Sequence, residues 1–308
     1  MGRRRRKAEV HGWLLLDKPL ELSSNGALGR LKKLYDCPKV GHAGTLDPLA
    51  TGMLPVAFGE ATKTVPYVMD GRKTYRFEVV WGVRTSTDDA EGEAVATSEK
   101  RPTQSEIDVA LKHFTGTVLQ VPPQFSAIKV DGQRAYARAR SGEEVEIKPR
   151  EVEIHDLCRV DERNDDRLVE RTWFECDCGK GTYIRAIARD LGEAMGCHGH
   201  VGTLRRVCVA PFVEADMVTL DELQEMAEDR DALLARIRPL SAALAHAMLQ
   251  VEVPQADVAT LMRGQPVLLK GRDAPVLHGE VCITHDGQAI AIGEGQGATL
   301  HPRRVFQY

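Results

Sequence analysis

The sequence predicts a protein of mixed α and β structure, in which one large domain precedes a small module made of β-strands. Lys73–Trp81 and residues 169–178 alternate between apolar and polar residues, which is typical of half-buried strands. Apolar residues recur at helical spacing after Thr103 and after Tyr183, and this spacing predicts amphipathic helices. From Val251 onward, glycine and proline interrupt short apolar runs, a pattern that favours a small all-β module.

The first part of the chain is predicted to form a strand and a helix. Gly12–Lys18 is largely apolar and is followed by Pro19, which predicts a short buried strand. Ser23 and Ser24 are suitable N-caps for the next helix, because a serine hydroxyl accepts a hydrogen bond from a backbone N–H of the first turn. Residues 59–63 are expected to lead into another short helix.

The later elements are predicted from caps and apolar spacing. Residues 103–106 (Thr-Gln-Ser-Glu) have the composition of a capping box. Thr182 is a suitable cap for the helix that carries Ile184. Residues 200–206 are predicted to be a loop that leads into a strand, and residues 220–246 to be helical.

Composition and charge narrow the class of protein. The chain has 308 residues and a formal net charge of −4. No apolar run approaches the roughly 20 residues needed to cross a bilayer, so we expect no membrane span and a cytoplasmic protein. The negative charge argues against a protein that coats nucleic acid over its whole surface, but it is compatible with a local basic cleft.

The seven cysteines predict neither a disulfide framework nor a metal site. Their number is odd and their spacing is irregular. Cys176 and Cys178 are separated by one residue, whereas paired zinc ligands are usually separated by about two to four. Both fall on one side of an alternating strand, which favours small buried side chains. We therefore expect no metal.

One stretch of low charge contains a candidate catalytic residue. Asp47 is the only formally charged residue within residues 43–59, and it lies between Gly44 and Gly52. Pro48 disfavours the helical conformation at Asp47, so the carboxylate is expected on an extended or turning backbone. A carboxylate in apolar surroundings needs a cation or hydrogen-bond donors. Two interpretations are therefore open: a catalytic carboxylate in a pocket, or an Asx-turn in which the side chain bonds a nearby amide.

Residues 121–150 form a second candidate surface. Basic residues are interleaved there with Phe125 and Tyr136, a combination that favours a nucleic-acid clamp. Three glutamates in the same segment weaken this indication of nucleic-acid binding. The basic residues are Lys129, Arg134, Arg138, Arg140, Lys148 and Arg150.

Arg185 is placed where a cation is not expected. It lies in the first turn of the helix predicted after Thr182, where the helix dipole disfavours a positive charge by about a few tenths of a kcal/mol. Exceptions to local rules of this kind are expected at functional sites. An arginine directed at a buried carboxylate explains both anomalies, because it would give Asp47 a cation and hold it ionised.

Five blocks of the sequence form a distinctive ordered set. They are residues 16–19 (Leu-Asp-Lys-Pro), 41–52 (Gly-His-Ala-Gly-Thr-Leu-Asp-Pro-Leu-Ala-Thr-Gly), 73–76 (Lys-Thr-Tyr-Arg), 180–185 (Lys-Gly-Thr-Tyr-Ile-Arg) and 204–206 (Leu-Arg-Arg). In sequence and order, these blocks resemble the TruB-type tRNA pseudouridine synthases. The resemblance covers roughly residues 10–245, and the chain from about residue 250 resembles the small RNA-binding PUA module that often follows.

This resemblance implies a fold, a domain organisation and a reaction. The fold would be the pseudouridine-synthase fold, a mixed α/β (α+β) structure around a long, bent, mostly antiparallel sheet. A catalytic domain would span residues 10–247 with an RNA-clamping insertion at about 121–150, and a PUA-like domain would span residues 250–308. The reaction would be the isomerisation of uridine to pseudouridine at position 55 in the T-loop of tRNA. The expected partner is the tRNA T-stem-loop, with no cofactor and no obligatory protein partner.

The resemblance also implies roles for single residues. Asp47 would be the nucleophile, attacking either C6 of uracil or C1′ of the ribose, and Arg185 would pair with it. Tyr75 would stack on the flipped base and take part in the loss of the C5 proton. Tyr183 and Leu204 would form the wall of the pocket.

The other implied contacts surround this centre. His42 would fill the stack that the flipped base leaves, and Asp89 would be a second partner of Arg185. Lys18 would either contact phosphate or support the Asp47 loop. Contacts to the rest of the RNA are expected from Lys129, Arg134, Arg138, Arg140 and Arg205.

Three other functions are compatible with parts of the sequence. A protein that binds the T-loop without chemistry is disfavoured by the joint presence of Asp47, Tyr75 and Arg185. A guide-RNA-dependent synthase would need partner proteins. A glycosidase usually pairs two carboxylates, and the stretch around Asp47 has no second one.

Overall fold

The computed structural model of the protein describes residues 10–126, 128–130, 133–135, 138, 146–160, 167–270 and 275–308. Contacts divide the chain into two compact units. The first unit comprises the chain up to Pro48, Gly52–Gly71 and Val209–Tyr308. The second unit comprises Leu49–Thr51 and Arg72–Cys208.

The described elements confirm the predicted mixture of helices and strands. The strands are β1 (Gly12–Lys18), β2 (Val40–His42), β3 (Ala50–Phe58), β4 (Lys73–Trp81), β5 (Val83–Thr85), β6 (Ala94–Thr97), β7 (Gly116–Gln120), β8 (Lys129–Val130), β9 (Gln133–Arg134), β10 (Arg150–Arg159), β11 (Arg171–Cys178), β12 (Gly199–Val209), β13 (Val218–Thr219), β14 (Leu249–Glu252), β15 (Val267–Leu268), β16 (Leu277–His285), β17 (Gln288–Gly297) and β18 (Thr299–Val305). The helices are α1 (Ser24–Leu34), α2 (Val65–Asp70), α3 (Gln104–Leu111), α4 (Ile184–Ala194), α5 (Leu220–Glu225), α6 (Arg230–Ala235), α7 (Leu240–Leu244) and α8 (Gln255–Met262), with short 3-10 segments at Gly59–Thr64 and Glu214–Asp216.

In the first unit, β1 is the central strand. It pairs in parallel with β13 and antiparallel with β3, and β2 also pairs antiparallel with β3. The side chains of Trp13, Leu14, Leu15 and Leu16 are at most 1% exposed, as the apolar composition of β1 predicts. This burial fixes the position of Lys18 at the end of the strand.

The second unit contains a sheet of order β12-β4-β11-β10-β7. The pairs β4–β11, β11–β10 and β10–β7 are antiparallel. Tyr75, Phe77, Val79 and Trp81 all face a hydrophobic core, which confirms the alternation predicted for β4. Because α3 and α4 contribute side chains to the same core, the sheet holds α4 in a fixed position.

The C-terminal residues form a separate sheet of order β14-β16-β17-β18-β15. It has its own hydrophobic cluster, to which the helix α8, absent from the sequence prediction, contributes Leu261. Cys282 and Phe306 instead pack in a cluster with Trp13 and Leu244 of the first unit. The division into residues 10–247 and 250–308 and the PUA assignment stay predictions.

The predictions of local structure were confirmed where a short-range contact determines them. Ser23 caps α1 by accepting a hydrogen bond from Gly26 N. Thr103 and Glu106 form the predicted capping box of α3. A short 3-10 helix occupies Gly59–Thr64.

Two local predictions were wrong. The N-cap of α4 is Tyr183 and not Thr182, whose hydroxyl instead donates to Gly179 O. Residues 200–206 belong to β12 and are not a loop, because this segment lies beside β4 in the sheet. The helical structure predicted for residues 220–246 is confirmed, and it is divided into three short helices, the second and third of which begin after the N-cap residues Asp229 and Pro239.

Among the residues that the structure describes, no helix combines the length and the apolar character required to span a membrane.

We expect that Gly192→Ala lowers the free energy of unfolding by about 1–3 kcal/mol. A Cβ atom at Gly192 in α4 would lie 2.3 Å from the carbonyl carbon of His198 and 2.4 Å from Gly199 N, which are backbone atoms that cannot rotate away. Urea denaturation followed by circular dichroism measures the change.

Gly29→Ala is the matched control, since Gly29 lies in α1 and a Cβ there would meet no atom within 4 Å. Because alanine has a higher helix propensity than glycine, this substitution should raise the free energy of unfolding by about 0.5–1 kcal/mol. Equal effects of the two substitutions would contradict the packing described for α4.

Candidate active site

Asp47 lies in an irregular loop between β2 and β3 and is half-buried. Gly44 and Gly52 on either side have φ of 103° and 96°, in the region that favours glycine. The predicted non-helical backbone at Asp47 is therefore confirmed. Gly44 lies within the loop and Gly52 near the start of β3, so glycine conformations occur on both sides of Asp47.

Hydrogen bonds on both sides of Asp47 hold this loop within the first unit. Ser24 Oγ donates to Leu46 O and accepts from Leu46 N, with both distances 2.9 Å. Pro48 O accepts hydrogen bonds from Glu21 N at 2.9 Å and from Lys18 Nζ at 3.3 Å. The residues immediately before and after Asp47 are thus both fixed.

Lys18 is a buried cation beneath the same loop. Its side chain is 0% exposed, and Nζ donates to Pro19 O at 2.9 Å and to Leu22 O at 2.8 Å in addition to Pro48 O. Burying an ammonium group is costly unless carbonyls or carboxylates surround it. These contacts favour support of the Asp47 loop over a contact to phosphate as the role of Lys18.

His42 lies at the end of β2, opposite Val56 of β3. It is half-buried, five residues before Asp47 in the chain. Its position follows from the strand pairing, which anchors the start of the loop.

Arg185 lies in the first turn of α4 in the second unit, as predicted, and its side chain is buried. Its Nη1 donates to Asp89 Oδ2 at 3.2 Å and to Thr87 O at 3.1 Å, and its Nη2 donates to Phe125 O at 3.0 Å. A carboxylate and two carbonyls therefore compensate the loss of water around this guanidinium.

Asp89 is buried in a turn that satisfies its carboxylate from several directions. Thr87 Oγ1 and Glu91 N donate to Oδ1, while Oδ2 accepts from Arg185. The adjacent Asp88 pairs with a second arginine of α4, Arg189, at 3.1 Å. Two neighbouring carboxylates thus bind two arginines that are one helical turn apart.

Tyr75 lies on β4 with 9% of its surface exposed. Burial raises the pKa of its hydroxyl, while the charge and hydrogen bond of Arg206 act in the opposite direction. The phenol is therefore protonated at neutral pH, and it has a cation beside its oxygen.

Tyr183 and Leu204 are both half-buried in the second unit. Tyr183 is the N-cap residue of α4, and Leu204 lies on β12 and packs against the core that contains Tyr75. Thr51 Oγ1 donates to Leu204 O at 3.5 Å.

The predicted RNA-contacting residues lie in three places. Lys129 and Arg134 are paired between β8 and β9, and Arg138 is half-buried. Arg205 is half-buried on β12. Arg140 lies outside the described residues.

The structure groups the predicted site residues by unit. Lys18, His42 and Asp47 belong to the first unit, and the structure brings Lys18 to the Asp47 loop. Arg185 and Asp89 pair within the second unit, which also contains the other predicted pocket residues. The pairing of Asp47 with Arg185 stays a prediction.

Within the described ranges, one cluster of side chains has the composition of a metal site. Glu252, His285 and Asp286 lie together at the C-terminal sheet. Their contacts are those of a surface hydrogen-bond network, since His285 bonds Val253 O and Glu252 accepts from Asp286 N. Cys176 and Cys178 are buried side by side in the core of the second unit.

Sequence reasoning did not identify four residues that hold the predicted ones. Ser24 was assigned only a capping role, and Arg206 appeared only as part of a motif. No local sequence pattern indicated a role for Gln120 or Arg189, because each binds a partner more than 60 residues away in the chain. The proline pair after Gln120 was the only local sign of a fixed backbone there.

Comparison with known families and proteins identifies close relatives. The sequence model described as TruB family pseudouridylate synthase (N terminal domain) matches residues 32–184. The model described as tRNA pseudouridylate synthase B C-terminal domain matches residues 185–245. A tRNA pseudouridine synthase B of Rhodopseudomonas palustris is 52% identical over 98% of this chain and 82% of its own. The same enzyme of Brucella ovis is 48% identical over 99% of both chains.

Solved structures with the same fold are more distant in sequence. A chain in the crystal structure of a Cbf5-Nop10-Gar1 complex superposes with a TM-score of 0.73 at 23% identity, covering 96% of this chain and 85% of that one. A chain of the archaeal box H/ACA sRNP Nop10-Cbf5 complex gives a TM-score of 0.70 at 22% identity, covering 96% and 86%. These two likenesses confirm the predicted fold.

We expect that Lys18→Met lowers the free energy of unfolding by about 1–3 kcal/mol, because it removes the buried ammonium that donates hydrogen bonds to three backbone carbonyls. Urea denaturation measures the change. Lys33→Met is the control, since Lys33 is exposed on α1 and should change stability by no more than about 0.5 kcal/mol. If the two substitutions have the same effect, the Lys18 ammonium does not stabilise the loop.

Proposed function

Because the chain belongs to the TruB family of pseudouridylate synthases, we propose that it isomerises uridine to pseudouridine at position 55 in the T-loop of tRNA. Relatives about half identical over nearly the full chain bear the name tRNA pseudouridine synthase B, which supports tRNA as the substrate. The T-loop position rests on the resemblance of residues 41–52 and of the other four blocks. We further propose that the reaction proceeds in the cytoplasm and without an obligatory protein partner.

The reaction requires a nucleophile and needs neither a hydride donor nor an electron acceptor. The N1–C1′ bond of uridine breaks and a C5–C1′ bond forms, while a proton leaves C5 and N1 gains one. The atoms of the substrate are only rearranged, so their overall oxidation state is unchanged. An ionised carboxylate that attacks C6 of uracil or C1′ of the ribose supplies the covalent step.

Asp47 is the proposed nucleophile, and the observation that carries this assignment is the way its loop is held. Hydrogen bonds from Ser24 and Lys18 fix Leu46 and Pro48, the two neighbours of Asp47. A nucleophile must be positioned within a fraction of an ångström to react efficiently. The hydrogen bonds to its two neighbours hold the backbone that carries the half-buried Asp47 carboxylate, which supports this assignment.

Arg185 is the proposed cation for Asp47 and would hold it ionised at neutral pH. A guanidinium has five N–H donors in a fixed plane, so an arginine is able to bind several acceptors at once. Arg185 binds Asp89 and two carbonyls in the second unit, which sets the direction of its guanidinium. We propose Asp89 as the residue that orients Arg185 toward the nucleophile.

Tyr75 is proposed to stack on the flipped uracil and to assist the loss of the C5 proton. To accept the C5 proton, the Tyr75 oxygen must be a phenolate: burial raises the pKa of the phenol and opposes that form, while the charge and hydrogen bond of Arg206 favour it. Tyr183 and Leu204 would form the pocket wall beside it.

A uridine within a folded loop is accessible only after it is flipped out, at a cost of about a few kcal/mol. His42, at the start of the Asp47 loop, would fill the vacated position. Arg205 and the basic residues of the insertion (Lys129, Arg134, Arg138 and Arg140) would bind the phosphates of the T-stem-loop.

The test of the proposed function is the mapping of pseudouridine in one unmodified tRNA transcript before and after incubation with the purified protein alone. Pseudouridine at position 55 is the expected result. Its formation without guide RNA or added protein would separate this enzyme from guide-dependent synthases. A transcript that stays unmodified would contradict the proposal.

Asp47→Ala should abolish pseudouridine formation and change the Kd for tRNA by less than about tenfold, since phosphate contacts supply most of the binding free energy. Asp47→Asn, which keeps the shape of the side chain, should be equally inactive. A protein that only binds the T-loop would be unaffected by Asp47→Asn. Measurable turnover by either variant would exclude Asp47 as the nucleophile.

Replacing Arg134, Arg138 and Arg140 together with alanine should weaken tRNA binding and reduce the slope of log K against log salt by about one unit for each phosphate that the variant no longer binds. Binding titrations at several salt concentrations measure both quantities. An unchanged slope would show that these three residues do not contact RNA.

A further inference from the structure

Gln120 is a buried side chain that binds the residue at which α4 begins. It ends β7, immediately before the insertion, and only 3% of its surface is exposed. Its Nε2 donates to Tyr183 O at 3.1 Å, and its Oε1 accepts from Tyr183 N at 2.8 Å. Because Tyr183 has no side-chain cap of its own, the Gln120 amide fixes where the helix starts.

The two arginines of α4 bind the next residues of the same segment. Arg189 Nη2 donates to Val121 O at 2.8 Å, and Arg185 Nη2 donates to Phe125 O at 3.0 Å. The intervening residues include Pro122 and Pro123, whose rings restrict the backbone between the two contacts. Val121 and Phe125, at the start of the insertion, are thus bound by two arginines of α4, and Gln120, just before them, is bound to its N-cap residue.

Arg189 joins this segment to the turn that orients Arg185. It pairs with Asp88 at 3.1 Å and with Asp190 at 2.8 Å. Asp88 has φ of 60°, an uncommon conformation that turns the chain so that Asp88 and Asp89 both reach α4. The turn, the start of the insertion and α4 therefore share one buried network of hydrogen bonds.

We propose that Gln120 and Arg189 are positioning residues, which hold the guanidinium of Arg185 in place and couple it to the RNA-clamping insertion. The carbonyl of Phe125 is at once part of the insertion and an acceptor for Arg185. Any displacement of the insertion by bound RNA therefore alters the surroundings of Arg185 directly. This inference rests on the proposed function.

The main test is Gln120→Leu, which keeps the side-chain volume and removes both hydrogen bonds to Tyr183. The rate constant of pseudouridine formation in a single turnover, with protein in excess over a T-stem-loop RNA, should fall at least about tenfold. The Kd for that RNA should change by less than about threefold, since phosphate contacts are retained. A residue with a merely structural role would not separate these two quantities.

Gln104→Leu is the matched control. Gln104 is also buried in the second unit, at 7% exposure, and its Oε1 has no hydrogen-bond partner among the residues that the structure describes. Its rate constant should equal that of the wild type. If wild type and Gln104→Leu form no pseudouridine, the proposed function fails; if both form it and Gln120→Leu is equally fast, only the positioning role fails.

Arg189→Lys is a second variant that keeps a positive charge between Asp88 and Asp190 but cannot reach Val121 O at the same time. It should show the same loss of rate with unchanged affinity. A wild-type rate constant in this variant, folded as judged by circular dichroism, would overturn the role of Arg189.

Coupling to the insertion is tested by combining Gln120→Leu with the alanine substitutions of Arg134, Arg138 and Arg140. Each set of substitutions lowers the single-turnover rate constant at saturating RNA by its own factor. If the insertion acts on Arg185 through this network, the combined variant should lose less than the product of the two factors. Reductions that multiply would show that the two regions act independently and would overturn the coupling.

Discussion

A buried guanidinium requires hydrogen-bond acceptors, and Arg185 finds them on two separate segments of the chain. One is the turn with Thr87 and Asp89, and the other is the start of the insertion at Phe125. Moving either segment would break hydrogen bonds of a guanidinium that is only 6% exposed. The energetic cost of breaking them holds the turn, Phe125 and α4 in one arrangement.

The Asp47 loop is stabilised by the same principle, with an ammonium in place of a guanidinium. There the buried ammonium of Lys18 donates hydrogen bonds to the backbone carbonyls of Pro19, Leu22 and Pro48. The loop itself has few side chains able to form such contacts, because glycine, proline and leucine dominate it. A cation supplied by β1 therefore provides the rigidity that the composition of the loop does not.

Local patterns predicted the elements and the chemically distinctive residues, whereas the residues that support them could not be predicted. The alternation in Lys73–Trp81 and the capping box at Thr103 depend on neighbours in sequence, so they were correct. Thr182 has the right residue type for a cap, but the N-cap residue is Tyr183, whose backbone N–H and C=O bind the side-chain amide of Gln120. Residues 200–206 lack strict alternation and become a strand only because β4 lies beside them. Contacts between distant segments leave no mark in a single sequence.

The path of the chain through its two units has a practical consequence for dissecting the protein. The boundaries fall after Pro48, Thr51, Gly71 and Cys208, so the first unit is assembled from pieces at both ends of the chain. No single truncation or protease cut releases either unit intact. A fragment that carries Arg185 without Leu49–Thr51 lacks part of the second unit, and one that carries Asp47 without Val209–Tyr308 lacks part of the first unit. Substitutions in the full-length chain are therefore the way to separate the contributions of the two units.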